Sequence, residues 1–221
     1  MVYNEFEASS NAINLSNSDL TVVPDLCTLV RADDHDKIWF IDLSSNRIRI
    51  VDQDLGCLVN LKELNLSYNE IEGVKNLWVL PNLTTLKLQK NNLSTTQWLP
   101  DFPALEKLNL WFNSLIEATG LEKYTNLEVL ELYHNEIETL VWLENLQQLE
   151  QLKVEFNNIK DFWFVETLKA QWLEVMTAKW NEIKESLLEE LRVMNNDYIN
   201  KLQEQFTLWA ASSEVVIENV E

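Results

Sequence analysis

Apolar residues in this chain follow two alternating rhythms. Short stretches repeat every second position, as in "LNLSYNEI" from Leu64, "LKLQKNNL" from Leu86, "LNLWFNSL" from Leu108, "LELYHNEI" from Leu130 and "LKVEFNNI" from Leu152. A period of two predicts strands with one buried face. Between them the spacing changes to three: Leu115, Ala118, Leu121, Tyr124 and Leu127, then Ile137, Leu140, Leu143, Leu146 and Leu149. Residues i and i+3 eclipse in a 3₁₀ helix, so these segments predict short 3₁₀-like turns.

Each strand phrase is preceded, three positions earlier, by another leucine (Leu61, Leu83, Leu105, Leu127, Leu149), which gives L-x-x-L-x-L-x-x-N-x-L. Weaker copies begin at Ile38 and Leu173, and "INLSNSDL" from Ile13 carries Ser18 in place of asparagine. The phase-marking positions are 18, 46, 69, 91, 113, 135, 157 and 181, successively 28, 23, 22, 22, 22, 22 and 24 residues apart. The pattern resembles the leucine-rich repeat. Such a unit cannot bury its apolar side alone, so neighbours stack. The expected fold is an α/β solenoid, right-handed, of about eight repeats, with a parallel concave sheet and 3₁₀-like convex turns.

Asn46, Asn69, Asn91, Asn113, Asn135, Asn157 and Asn181 stand where the chain leaves each strand. An amide donates and accepts at once, so a stacked column of asparagines would satisfy the turns' backbone groups. In the first repeat "RADDHDK" (31–37) interrupts the phase and predicts a polar surface loop. After Ile183 a stripe through Leu187, Leu191, Met194, Tyr198, Leu202, Phe206 and Trp209 has helical spacing and predicts a cap over the last repeat. The organisation expected is a solenoid with an N-terminal cap over 1–185, a helical C-terminal cap over 186–209 and a frayed acidic tail over 210–221.

The third, fifth, seventh and eighth positions of the motif face away from the core. The seventh column reads Ser44, Ser67, Gln89, Trp111, Tyr133, Glu155 and Lys179; the eighth, on the rim, reads Ser45, Tyr68, Lys90, Phe112, His134, Phe156 and Trp180. Trp111 and Tyr133, one strand spacing or roughly 5 Å apart, are the expected anchors for a protein partner. Phe112, His134, Phe156 and Trp180 run beside them and either join the contact or shield the asparagines. Glu131 and Glu155 are placed to receive a basic residue of the partner. Trp98, Trp142 and Phe164 share a convex column, with Trp78 and Trp163 near; mutual packing over the turns is expected there ahead of a second interface. On this reading Trp142 is neutral to binding.

Composition narrows the function. A net charge of −19 argues against binding nucleic acid or anionic membrane and favours a basic partner or plain solubility. No apolar run is long enough to span a bilayer and no basic-then-apolar leader opens the chain, so a soluble, monomeric, cytoplasmic protein is expected. Cys27 and Cys57 are too few for a disulfide scaffold and lack metal-ligand spacing, which favours a reducing compartment. His35 and His134 belong to no nucleophile or metal motif, and the three glycines form no phosphate-cradling loop, so no catalytic residue, metal or cofactor is expected.

The 22-residue form LxxLxLxxNxIxxIxxLxxLxx resembles the leucine-rich-repeat subfamily typified by a regulatory subunit of protein phosphatase 1, over about residues 12–185. The tyrosine-arginine, leucine-proline, leucine-aspartate motif that closes many members is not found after Ile183. The resemblance implies partner binding on the concave columns and makes Trp111, Tyr133, Glu131 and Glu155 the natural contacts. The function expected is an adaptor or regulatory subunit; the alternative is an acidic inhibitor or effector that wraps and neutralises a basic enzyme or toxin.

Overall fold

In a computed structural model the residues described are 11–74 and 80–160. Their strands, in chain order, are β1 (Ala12–Asn14), β2 (Phe40–Asp42), β3 (Ile50–Val51), β4 (Glu63–Asn65), β5 (Gly73–Val74), β6 (Thr85–Lys87), β7 (Lys107–Asn109), β8 (Val129–Glu131) and β9 (Gln151–Lys153). Seven of them form one parallel sheet in the order β1-β2-β4-β6-β7-β8-β9, so each repeat lies beside the next in sequence. β3 and β5 make a separate two-stranded parallel pair just beyond the turn. The expected solenoid with a parallel sheet is the fold observed.

Register follows the hydrophobic pattern. Ile13, Ile41, Leu64, Leu86, Leu108, Leu130 and Leu152 pair in series at the middle of each strand. Ile41, Leu64, Leu86 and Leu130 have no exposed surface. A one-residue slip would turn this whole row to solvent, so register is strongly specified.

The return segments close by i→i+3 bonds: Leu58 donates to Leu55, Leu61 to Leu58, Leu105 to Phe102, Leu127 to Tyr124 and Leu146 to Leu143. Val141–Asn145 is a formed 3₁₀ helix. Phe102 and Tyr124 stack at 6.3 Å within the buried core, and the Tyr124 hydroxyl donates to the Pro100 carbonyl at 2.5 Å.

The asparagine column is a hydrogen-bond ladder. In Asn69, Nδ2 donates to the carbonyls of Leu66 in its own repeat and Leu43 in the preceding one, while Oδ1 accepts from the Ile48 N–H. Asn91, Asn113, Asn135 and Asn157 repeat these three bonds. Each amide thus covers two carbonyls and one N–H that the turn leaves without a backbone partner.

The insert of the first repeat is ordered rather than plain loop. Leu26–Leu29 is one helical turn, α1, capped by the Asp25 carboxylate on the Thr28 N–H, and Ala32–Lys37 is a 3₁₀ segment with no buried residue. One expectation is overturned: Cys27 and Cys57 form a disulfide across the first two repeats, with Cα atoms 5.8 Å apart. Two cysteines separated by 30 residues look unrelated in sequence. Stacking brings α1 against the next return segment, and the thiols meet. With the two thiols joined, the cysteine count carries no argument for a reducing compartment.

The eighth repeat with Trp180 and Asn181, the cap over 186–209, the tail over 210–221, residues 1–10, Trp78, Trp163 and Phe164 lie outside the described residues. Among the described residues no helix is long and apolar enough to cross a membrane.

Candidate concave-face site

The seventh position is set locally. At the fifth position Asn14, Asp42, Asn65 and Asn109 each accept, through the side chain, the N–H two residues later. This Asx turn ends the strand and aims the next residues outward. The eighth residue then adopts left-handed backbone: φ is 57° at Ser45, 55° at Tyr68, 54° at Lys90, 55° at Phe112, 54° at His134 and 53° at Phe156. Its N–H donates to the seventh-position carbonyl of the following repeat, Lys90 to Trp111, Phe112 to Tyr133 and His134 to Glu155. The left-handed region costs a side-chain-bearing residue about 1–2 kcal/mol and suits glycine or asparagine. Here four of the six positions carry a ring.

Those rings form one surface. Trp111 stacks on Tyr133 with centroids 5.1 Å apart and planes 9° from parallel. Phe112 stands edge-on to Trp111 at 5.6 Å, contacts His134 at 4.5 Å, and His134 stacks on Phe156 at 4.2 Å. The structure therefore places Trp111, Tyr133, Phe112, His134 and Phe156 together. Phe112 is 48% exposed and Phe156 41%, while Trp111, Tyr133 and His134 are half-buried.

Two further members went unselected in the sequence. Tyr68 meets Trp111 edge-on at 6.4 Å although their repeats are two apart, and Lys90 from the intervening repeat sets its ammonium over both. Both stand in the rim column. The missing signal was the lean of the Trp111 ring, which a repeat pattern does not carry.

The acidic candidates behave differently. Glu131 is held by Lys153 at 2.7 Å and by the Asn109 amide, so its carboxylate is already committed. In the chain by itself, neighbours on β7 and β9 supply the donors to Glu131. That bond holds the Lys153 ammonium above the ordinary lysine range, while burial and then the Glu131 charge push the Tyr133 phenol up. Glu155 sits in the seventh column beside Tyr133 and is half-buried.

The convex column also departs from expectation. Trp142 is 5% exposed and belongs to the core, and Trp98 is packed partly against it; the indole N–H of each has no hydrogen-bond partner. No ring pair joins them, because Gly120 occupies the same column between them. Gly120 has φ +91°, and an added Cβ would lie 3.4 Å from Gln97 Cα. Trp142 is therefore a core residue, and replacing it would cost stability.

The comparisons with known proteins bear on the fold. The leucine-rich-repeat family matches residues 103–159, and a second leucine-rich-repeat family matches residues 58–74. No curated protein matches the chain in sequence. Similar solved structures include a leucine-rich-repeat protein of Leptospira interrogans, with TM-score 0.59, 24% identity, and 73% of this chain and 47% of that one covered. Another is internalin C2 of Listeria monocytogenes, with TM-score 0.52, 20% identity, and 68% and 74% covered. A third is the TLR13-ssRNA13 complex, with TM-score 0.58, 20% identity, and 71% and 23% covered. The chain spans about half the length of the Leptospira protein. At such identities the likeness is one of fold: with the repeat and its asparagine ladder, the described residues have the leucine-rich-repeat fold, and the family itself is matched over residues 103–159 and 58–74.

Proposed function

We propose that the chain is a non-enzymatic protein-interaction module, an adaptor or regulatory subunit, that is monomeric until it docks a protein partner on its concave face. The observation that carries this reading is the half-exposed Trp111–Tyr133 stack. It offers a large rigid apolar area on a face with no core to fill. The rings at left-handed rim positions support it, since a residue type unfavourable to the turn is kept for another purpose. The phosphatase-type regulatory reading rests on the 22-residue repeat alone.

Charge distribution weighs against the alternative of an acidic inhibitor that wraps a basic protein. On the concave and rim columns of the described repeats, four carboxylates (Asp42, Glu63, Glu131, Glu155) face four lysines (Lys87, Lys90, Lys107, Lys153). Over the described repeats this face therefore carries no excess of acid. The same net charge of −19 argues against extending to this chain the RNA of the TLR13 complex. Compartment is a separate proposal: the cytoplasmic expectation stands against the Cys27–Cys57 disulfide, which persists in oxidising surroundings. Differential thiol alkylation of protein from its native source decides it.

The docking reading is tested on the partner captured from the native host, identified by mass spectrometry and titrated by calorimetry. Trp111→Ala should weaken binding by about 2 kcal/mol, or roughly 30-fold. Val59→Ala, at an exposed convex position, should leave affinity unchanged. Full affinity in Trp111→Ala removes the concave site.

A further inference from the structure

The centre of the docking surface carries a charge that the acidic composition does not suggest. Lys90 Nζ lies 4.9 Å from the Tyr68 ring centroid and 5.2 Å from those of Trp111 and Phe112. Ring faces hold an ammonium in place through their quadrupoles, and they leave its full positive charge uncancelled. Two other lysines of this face differ. Lys87 is paired with Glu63 at 2.6 Å and Lys153 with Glu131 at 2.7 Å. Among the described residues no carboxylate pairs with Lys90, and Glu131, beside the stack, is already occupied by Lys153 and Asn109.

We propose that the segment docking on Trp111 and Tyr133 presents an aspartate or glutamate carboxylate to Lys90, next to an aromatic or aliphatic side chain that covers the stack. This rests on the concave docking reading and fixes the sign of its partner, opposite to the basic residue expected from Glu131 and Glu155. A cationic side chain would have to evict Lys90 from three rings or meet it as a like charge. A carboxylate displaces nothing, and it gains a charge-assisted bond to a donor already held in position. The net charge of −19 holds off a broadly acidic protein at long range, so the partner's acid is local, set in a segment that is otherwise neutral or basic.

Two matched probes test the sign without the partner: 3-phenylpropionate and 3-phenylpropylammonium, which share a ring and a chain and differ in charge. Each is titrated into the full chain while the indole N–H resonance of Trp111, assigned through Trp111→Phe, is followed by NMR. The carboxylate should shift that resonance with about tenfold tighter binding than the ammonium. Lys90→Gln should abolish the preference and Lys90→Arg should keep it. A preference for the ammonium, or a carboxylate preference that survives Lys90→Gln, overturns the inference and leaves the docking surface standing. If neither probe moves the Trp111 resonance, the docking surface itself falls and the inference with it.

Discussion

Trp111 and Trp142 carry the same side chain on adjoining repeats and meet opposite environments. Trp111 follows an Asx turn at the end of a strand, where the sheet has no further layer, and stacks sideways on Tyr133. Trp142 lies inside a 3₁₀ turn between Leu140 and Leu143, and that turn folds back onto the core until the indole is 5% exposed. In a repeat protein, then, the segment type decides what an aromatic does. Strand ends display rings, and return turns absorb them.

The sharpest way to break that contrast is thermal. Trp142→Ala should cost about 3–5 kcal/mol, as for a buried aromatic. Trp111→Ala should cost no more than the stacking it loses, about 1 kcal/mol. Equal melting temperatures for the two variants would mean that Trp142 is not core. Trp142→Phe should be far milder than alanine, because it also removes an indole N–H buried without an acceptor.

A second contrast separates the clamped first two repeats from the rest. The disulfide closes a loop of 30 residues, for which chain entropy gives about 3–4 kcal/mol. Denaturant unfolding of Cys27→Ala/Cys57→Ala should lose that amount. Amide exchange should accelerate first in residues 11–60, and uniform acceleration along the chain would show that the clamp has no local role.

Asn113 sharpens the contrast between ladder and display. It lies one residue past the Phe112 rim position and bonds the carbonyls of Leu88 and Leu110 and the Leu93 N–H. Asn113→Ala should cost about 1–3 kcal/mol in melting stability by stranding those groups. A variant that melts like the wild type would remove the ladder's structural role.

The smallest effect expected is at alkaline pH. Burial pushes the Tyr124 phenol above its ordinary value, as it does more weakly for Tyr133, and the Glu131 bond raises Lys153. In each case the folded chain keeps a proton that the unfolded chain gives up, so stability is complete below about pH 10 and falls above it. For Tyr124, the most shifted of the three, the slope should approach about 1.4 kcal/mol per pH unit, and the more exposed Tyr133 and Lys153 add less. Tyr124→Phe should flatten it, and an unchanged slope would reassign the titration.

The sequence by itself determined the repeat, its strand register, the asparagine ladder and the pairing of Trp111 with Tyr133. Each follows from period and position, which a one-dimensional stack transmits directly from chain to space. Only the tertiary structure decided that Cys27 meets Cys57, that Trp142 sinks into the core, that Glu131 is taken by Lys153, and that Tyr68 and Lys90 gather round Trp111. These depend on where side chains of different repeats lean once stacked. A spacing fixes which column a residue occupies; the depth, tilt and charge partners of its side chain are set by the packing of the neighbouring repeats.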